Sequence, residues 1–160
     1  MKTLKGEIKG KGLKIAVISS RFNEEIIGNL IEGAKRLFLE KGVKEKDICL
    51  YLVPGAFEIP SVLEKILKKN SKLKYDGILT VGCVIKGETA HFEYISGAVS
   101  TGINQISSQY GIPVSFCVLT TYNDEQAEAR SRLDVCNDET NKGFEAASAL
   151  LEMIDLMKKI

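Results

Sequence analysis

The sequence predicts an α/β protein, a three-layer α/β/α sandwich on a four-stranded parallel sheet, within a single domain of residues 1–160. Four apolar, β-branched runs recur at intervals that suit β–α–β units. These runs are almost continuously apolar rather than alternating, which is typical of parallel strands covered on both faces. Amphipathic helical patterns separate them, so the predicted order is βαβαβαβα with right-handed crossovers.

The predicted strands are "KIAVIS" (14–19), "DICLYLV" (47–53), "DGILTVGCVI" (76–85) and "PVSFCVLT" (113–120). The segment 1–12, "MKTLKGEIKGKG", is short and rich in Gly and Lys. It predicts an N-terminal arm that forms at most a short edge strand.

Four helices are predicted between and after the strands. Apolar residues repeat at helical spacing within 27–38, 59–67, 92–111 and 141–160. Gly42 follows the first of these patterns and can end that helix in a left-handed conformation.

Composition narrows the class of protein. A net charge of +1 gives no electrostatic case for a nucleic-acid partner. No apolar run approaches the length needed to cross a bilayer, and the first residues lack the apolar stretch of a signal peptide. The four cysteines show no CxxC spacing and there is one histidine, which argues against a metal site. We therefore expect a cytoplasmic protein without a metal.

The carboxyl ends of the four strands carry the unusual residues. These ends read "SSRFNEE", "VPGAFEIP", "CVIKGETAHF" and "VLTTYNDEQ". In open α/β sheets the ligand binds beyond the carboxyl ends of the strands. The sequence therefore predicts a functional site along this edge of the sheet.

The first two strand ends each allow two interpretations. Phe22 follows the first strand, either as a hydrophobic staple for the next helix or as an aromatic lid over a planar ring. Glu58 lies near a helix start after Pro54 and Gly55. Its carboxylate either caps that helix or, with backbone amides, grips hydroxyls and ring nitrogens.

The third strand end, "GETAH", gives a stronger signal for a ligand. Gly87 permits close approach of the backbone, Thr89 offers a hydroxyl, and the following helix supplies unpaired N–H groups. Together they predict an anion site, with phosphate as the obvious candidate. His91, the only histidine, adjoins this turn, either as a structural residue or as a group that exchanges protons.

Arg130 and Lys142 lie on either side of "SRLDVCNDET" (131–140), after the fourth strand. A guanidinium fork together with a point-charge ammonium suits phosphate recognition, although surface charges also serve solubility. Arg132 is an alternative to Arg130 that spacing does not exclude.

Five segments resemble, in order and spacing, the motifs of the lumazine synthase family. They are "SSRFN", "VPGAFEIP", "GCVIKGETAHFEYI", "VLTTYNDEQAEAR" and "NKGFEAA". The resemblance covers the chain from about residue 10 onward. It implies a flavodoxin-like fold and a transferase that joins 5-amino-6-(D-ribitylamino)uracil to 3,4-dihydroxy-2-butanone 4-phosphate, the penultimate step of riboflavin biosynthesis. It also implies that no cofactor is needed.

The resemblance assigns a role to each matching position. For the pyrimidine and its ribityl chain these positions are Phe22 (stacking), Ala56, Phe57 and Glu58 (ring edge and ribityl), Cys83, Val84 and Ile85 (backbone contacts), and Phe116, contributed by a neighbouring subunit. For the phosphate and the proton transfers they are Glu88, Thr89 and Arg130 (phosphate), His91 (proton transfer) and Lys142 (a basic residue lining the site). Because Glu88 is itself acidic, we expect its backbone N–H to face the phosphate.

The resemblance also implies a homo-oligomer with active sites at subunit interfaces. In family members that assemble into sixty-subunit shells, the segment between the matched arginine and the "NKG" lysine is short and contains glycine. Here "SRLDVCNDET" is longer and contains none. We therefore expect a homopentamer, in which residues 1–12 pair with a neighbouring subunit.

Three alternatives compete with this assignment. A flavodoxin-like flavin or nucleotide module would carry a Gly/Ser/Thr-rich phosphate loop after the first strand, but "SSRFNEE" has no glycine. The archaeal-type riboflavin synthase shares the fold, and the retained "RFN" and "GETAHFEYI" argue against it. An inactive shell protein finds no support, since Phe22, Glu58, His91 and Arg130 are all present.

Overall fold

The computed structural model describes residues 1–133 and 140–160. The four predicted strands are all present, and each observed boundary differs from the predicted one by at most one residue. The strands are β1 (Ile15–Ser20), β2 (Ile48–Val53), β3 (Gly77–Ile85) and β4 (Val114–Thr121). The helices are α1 (Glu24–Glu40), α2 (Ile59–Lys68), α3 (Asn70–Leu73), α4 (His91–Tyr110), α5 (Asp124–Ser131) and α6 (Lys142–Lys158), with 3₁₀ turns at Glu45–Asp47 and Ala56–Glu58.

The four strands form one parallel sheet in the order β2-β1-β3-β4. Every residue of the inner strand β1 is buried, whereas the outer strands β2 and β4 are partly exposed. Ser20 pairs with Val53, and Ile85 pairs with Thr121. Because all strands run in one direction, their carboxyl ends meet at one edge, and the predicted flavodoxin-like sandwich is confirmed.

Two apolar layers cover the sheet. One joins the sheet to α1, α5 and α6, and its buried side chains include Leu30, Phe38 and Leu151. The other joins it to α2 and α4 and includes Leu63 and Ile103. The helices α3 and α5 were not predicted. In α5 only Ala127 and Ser131 are buried, so "DEQAEARS" carries no apolar period that would reveal a helix.

The end of α1 is fixed at Gly42, as predicted. Gly42 has φ of 94°, and the amide of Val43 donates to the carbonyl of Phe38 at 2.9 Å. This is the hydrogen bond of a Schellman motif, in which glycine takes the left-handed position without a Cβ clash.

The predicted N-terminal edge strand is absent, because residues 1–14 form no strand. The arm lies instead on the helices of its own chain. The amide of Gly10 donates to the carbonyl of Lys41 at 2.9 Å, and the amide of Glu7 donates to the Asp155 carboxylate at 2.8 Å. At Glu7 and Gly10 the backbone of the arm therefore bonds to helices rather than to the sheet of its own chain.

Within the described parts of the chain, every helix is too short or too polar to span a bilayer. The expected lengthening of segment 131–140 concerns mainly residues 134–139, which lie outside the described residues.

Candidate active site

A hollow of about 630 Å³ lies at the carboxyl edge of the sheet. We call it the strand-end hollow. Most of the residues predicted for the site line it, namely Phe22, Ala56, Phe57, Glu58, Cys83, Val84, Ile85, Thr89 and His91. They come from the segments after β1 and β2, from the end of β3 and the turn that follows it, and from the start of α4. The parallel sheet brings these parts to one edge. Their functional roles remain predictions.

Two exposed aromatic side chains stand at this hollow. Phe22 is 71% exposed and Phe57 is 57% exposed, although both are large and apolar. A staple residue would be buried against its helix, so this exposure does not support that interpretation of Phe22. Two accessible aromatic side chains on a largely apolar hollow suit a planar heterocycle.

Asn23 connects the turn after β1 to the end of β3. Its backbone is left-handed, with φ of 63° and ψ of 53°, and its side chain does not cap α1. The side-chain amide instead donates to the carbonyl of Cys83 at 3.1 Å. Asn tolerates this backbone region better than most residues, so one residue both turns the chain after Phe22 and holds it to the site.

The loop after β2 is closed by the predicted carboxylate. The amide of Gly55 donates to Oε2 of Glu58 at 2.9 Å, across the 3₁₀ turn Ala56–Glu58. Glu58 thus closes the 3₁₀ turn, whereas its side chain makes no capping hydrogen bond to α2, so the predicted cap of that helix is not observed. Because Glu58 also lines the strand-end hollow, its carboxylate is held in place beside the space where a ligand would lie.

The end of β3 presents backbone rather than a reactive thiol. Burial raises the pKa of the Cys83 thiol to about 11, so the sulfur is protonated at neutral pH. Val84 and Ile85, which follow it, are half-buried. The peptide groups here are the polar groups that this strand offers to a ring.

The turn between β3 and α4 is open to an anion. Among the residues that the structure describes, no side chain caps the N terminus of α4, whose cap residue is Ala90. The amide of His91 makes only a long contact of 3.4 Å with the Thr89 hydroxyl. Helix N–H groups without intrahelical partners attract negative charge, so phosphate suits this turn. Glu88 is exposed and does not line the hollow.

Two further lining residues, Phe92 and Ile95, were not singled out for the site from the sequence. The ring of Phe92 lies 6.2 Å from that of Tyr122, and the Lys86 ammonium lies 5.6 Å from the centre of the Tyr122 ring. Lys86 also pairs with Glu93 at 3.3 Å. These contacts join the two ends of the turn between β3 and α4 to the end of β4.

Phe116 and Lys142 do not reach the strand-end hollow. They line a separate hollow of about 240 Å³ beside β4, which we call the Phe116 hollow. Phe116 is exposed, and the Lys142 ammonium contacts the Glu145 carboxylate. Burial raises the pKa of the adjacent Cys117 thiol to about 12, so that thiol is also protonated at neutral pH.

Neither candidate arginine lines the strand-end hollow. Arg130 is exposed on α5 and donates to the carbonyl of Gln126 at 2.9 Å. Arg132 lines a third hollow, whose other lining residues include Glu24, Asp124 and Glu128. Those carboxylates would repel a phosphate bound at Arg132, whereas Arg130 does not line that hollow.

Comparison with known proteins agrees with this geometry. A sequence model of the 6,7-dimethyl-8-ribityllumazine synthase family matches residues 12–158. Proteins named 6,7-dimethyl-8-ribityllumazine synthase are similar over full length: that of Nautilia profundicola is 48% identical over 100% of both chains. That of Campylobacter hominis is 45% identical over 100% of this chain and 99% of its own. That of Helicobacter hepaticus is 48% identical over 92% of this chain and 90% of its own. The chain therefore belongs to the 6,7-dimethyl-8-ribityllumazine synthase family.

Proposed function

We propose that this protein condenses 5-amino-6-(D-ribitylamino)uracil with 3,4-dihydroxy-2-butanone 4-phosphate to form 6,7-dimethyl-8-ribityllumazine, the penultimate step of riboflavin biosynthesis. The observation that carries the proposal is the strand-end hollow. There, aromatic side chains, a held carboxylate, strand-end peptide groups and an uncapped helix N terminus face one space.

The uracil would occupy the apolar part of this hollow. Phe22 stacks on the ring, while Ala56, Phe57 and Glu58 contact the ring edge and the ribityl chain. Backbone groups of residues 83–85 bind the pyrimidine amide edge. The Glu58 carboxylate suits hydroxyl groups, because it accepts hydrogen bonds and the Gly55 amide already fixes its orientation.

The phosphate of the second substrate would bind at the start of α4. The backbone N–H of Glu88, the Thr89 hydroxyl and the helix N terminus surround it. The forked guanidinium of Arg130 and the compact ammonium of Lys142 supply the positive charge. Since neither lines the strand-end hollow of its own chain, we propose that they reach it from an adjacent protomer, together with Phe116.

The proposed reaction forms two carbon–nitrogen bonds, and several of its steps transfer protons. The 5-amino group attacks the ketone, and loss of water gives an imine. Removal of a proton from the neighbouring carbon expels phosphate and leaves an enol that becomes a ketone. The ribitylamino nitrogen closes the ring on that ketone with loss of a second water. His91 moves protons in these steps. Most of the acceleration comes from holding the two substrates in a reactive orientation.

A homopentamer would complete each site between adjacent copies. Two exposed surfaces support an interface. Helix α4 buries only Val99 and Ile103, and residues 94–110 contain no charged side chain, although most of this helix faces outward. Near the Phe116 hollow, Phe116, Met153 and Met157 are also exposed. Interface cores are depleted in charge and enriched in aromatic residues and Met.

The arm of residues 1–12 would add to the sheet of a neighbouring copy at β2. The sheet has β2 at its edge, and Leu50 and Leu52 on this strand are 45% and 59% exposed. The arm carries Leu4 and Ile8 exposed as well. An uncovered apolar edge strand invites pairing with another chain.

We also propose a cytoplasmic location. Cys49, Cys83 and Cys117 are free thiols, which suits a reducing compartment.

The test combines an activity assay with a native mass. The purified protein, given both substrates, should produce a fluorescent lumazine and release one phosphate for each product formed. The particle should have the mass of five 17.6-kDa chains, about 88 kDa. Stoichiometric bound flavin without lumazine formation would overturn the proposal, as would riboflavin formed from lumazine alone. A megadalton particle would overturn only the pentamer.

A further inference from the structure

Asn141 has a buried side chain whose polar atoms are all hydrogen-bonded. The residue is 0% exposed. Its Oδ1 accepts from the amides of Gly143 at 2.8 Å and Phe144 at 3.1 Å, which caps α6. Its Nδ2 donates to the carbonyl of Ser131 at 2.7 Å and to that of Asn29 at 3.1 Å, with the carbonyl of Arg132 at 3.4 Å as a longer contact. One side chain thus joins α1, the end of α5 and the start of α6.

Two glycines make room for this side chain. A Cβ added at Gly33 on α1 would lie 2.3 Å from Oδ1 of Asn141. A Cβ added at Gly143 would lie 1.9 Å from the carbonyl oxygen of Leu30. Both positions are closer than any Cβ tolerates, so α1 and α6 approach here only because these residues lack side chains.

The residues that Asn141 holds are the immediate neighbours of the two cations assigned to phosphate. Ser131 follows Arg130, and Asn141 precedes Lys142. Helix α5 has eight residues and buries only Ala127 and Ser131, and the carbonyl of Ser131 at its end accepts from Asn141. Helix α6 begins at Lys142 because Asn141 caps it. The relative position of the two cations therefore depends on this side chain.

We propose that Asn141 is a positioning residue that sets Arg130 and Lys142 for the phosphate of the substrate. This inference rests on the proposed function, because it takes those two cations as the phosphate ligands. Asn141 does not touch the substrate and acts through the main chain on either side of it.

The test is the variant Asn141→Ser. A serine hydroxyl still caps α6, whereas the amide that donates to Ser131 and Asn29 is lost. We expect KM for the phosphorylated ketone and the inhibition constant of inorganic phosphate to rise about tenfold, because the displaced cations would lose part of their interaction with phosphate. KM for the uracil should stay within about twofold, because the strand-end hollow does not include Asn141.

The matched control is Asn70→Ser at the opposite end of the sheet. Asn70 also bridges two backbone groups, since its Nδ2 donates to the Tyr75 carbonyl at 3.0 Å and its Oδ1 accepts from the Tyr75 amide at 2.8 Å. This variant should lower the melting temperature and leave both phosphate constants unchanged. A general loss of stability is thereby separated from an effect on the cations.

Each outcome decides between the inference and the proposed function. If Arg130→Ala and Lys142→Ala weaken phosphate binding and Asn141→Ser does not, the inference is wrong and the proposed function stands. If neither cation variant weakens it, the phosphate assignment itself is wrong. If Asn141→Ser does not fold, Asn141→Thr, whose hydroxyl also caps α6 and which likewise lacks the donating amide, replaces it. Failure of both variants to fold would overturn the inference, because Asn141 would then be required for folding rather than for the position of the two cations.

Discussion

The side-chain amide of Asn23 donates a hydrogen bond to the backbone carbonyl of Cys83 at 3.1 Å. This bond joins the turn that carries Phe22 to the strand end that carries residues 83–85, so the two sides of the strand-end hollow are fixed relative to each other. Asn23 is also the residue that adopts the left-handed backbone conformation before α1.

Replacing Asn23 should separate these two contributions. Asn23→Gly keeps the left-handed backbone and loses the hydrogen bond, at a cost of about 1 kcal/mol in the free energy of unfolding. Asn23→Ala adds backbone strain of roughly 1–2 kcal/mol. Urea denaturation of both variants measures the difference. Equal stability of the two would mean that the backbone of Asn23 is not strained by a Cβ-bearing substitute.

His91→Ala should slow turnover without changing assembly. We expect a fall of no more than about 10²-fold, the lower end of general acid–base contributions, because orientation supplies most of the rate. Steady-state kinetics and a native mass measure the two effects. A wild-type rate in the variant would show that water or substrate moves the protons.

Gly143→Ala should destabilise the fold. The added Cβ would meet the Leu30 carbonyl oxygen at 1.9 Å, and forced overpacking of this kind costs about 1–3 kcal/mol or more. Gly28→Ala on α1 is the control, since no atom of residues 1–133 or 140–160 lies within 4 Å of its added Cβ. That control should gain up to about 1 kcal/mol from helix propensity. Thermal unfolding of both variants tests the pair, and comparable stability would contradict the close approach of α1 and α6.

The contact between the N-terminal arm and α6 should depend on pH. Hydrogen bonds from Lys159 and from the Glu7 amide lower the pKa of Asp155. A lowered folded-state pKa means that this stabilisation is present above the ordinary pKa of about 3.9 and is lost as the pH falls through the folded value. Asp155→Asn should therefore melt below the wild type at pH 6, and the gap should close at pH below about 4. A gap independent of pH would show that the charge of Asp155 contributes nothing.

Much of the site could be predicted from sequence because apolar runs mark the strands and a parallel sheet gathers their carboxyl ends. Phe22, Glu58 and His91 share one hollow for that reason. The prediction of an N-terminal edge strand was wrong for the sheet of the chain itself, because the amides of Glu7 and Gly10 bond to α6 and to the end of α1 instead.

Other features depend on contacts that sequence order does not reveal. Helix α5 lacks an apolar period, so its end next to Arg130 could not be placed. Asn23 and Asn141 act through hydrogen bonds to carbonyls 60 and 112 residues away, at Cys83 and Asn29, and a polar residue in a turn gives no sign of such a partner. A turn asparagine beside a predicted site residue is the signal that could have drawn attention to Asn23.

We propose that one copy supplies the strand-end hollow and the next copy supplies Phe116, Arg130 and Lys142. Co-expression tests it directly, pairing a His91→Ala chain with a chain that carries Arg130→Ala and Lys142→Ala. Random mixing leaves about a quarter of the interfaces with both halves intact, so the mixed oligomer should recover about a quarter of wild-type turnover. Activity no higher than the mean of the two parent variants would contradict a site shared between copies.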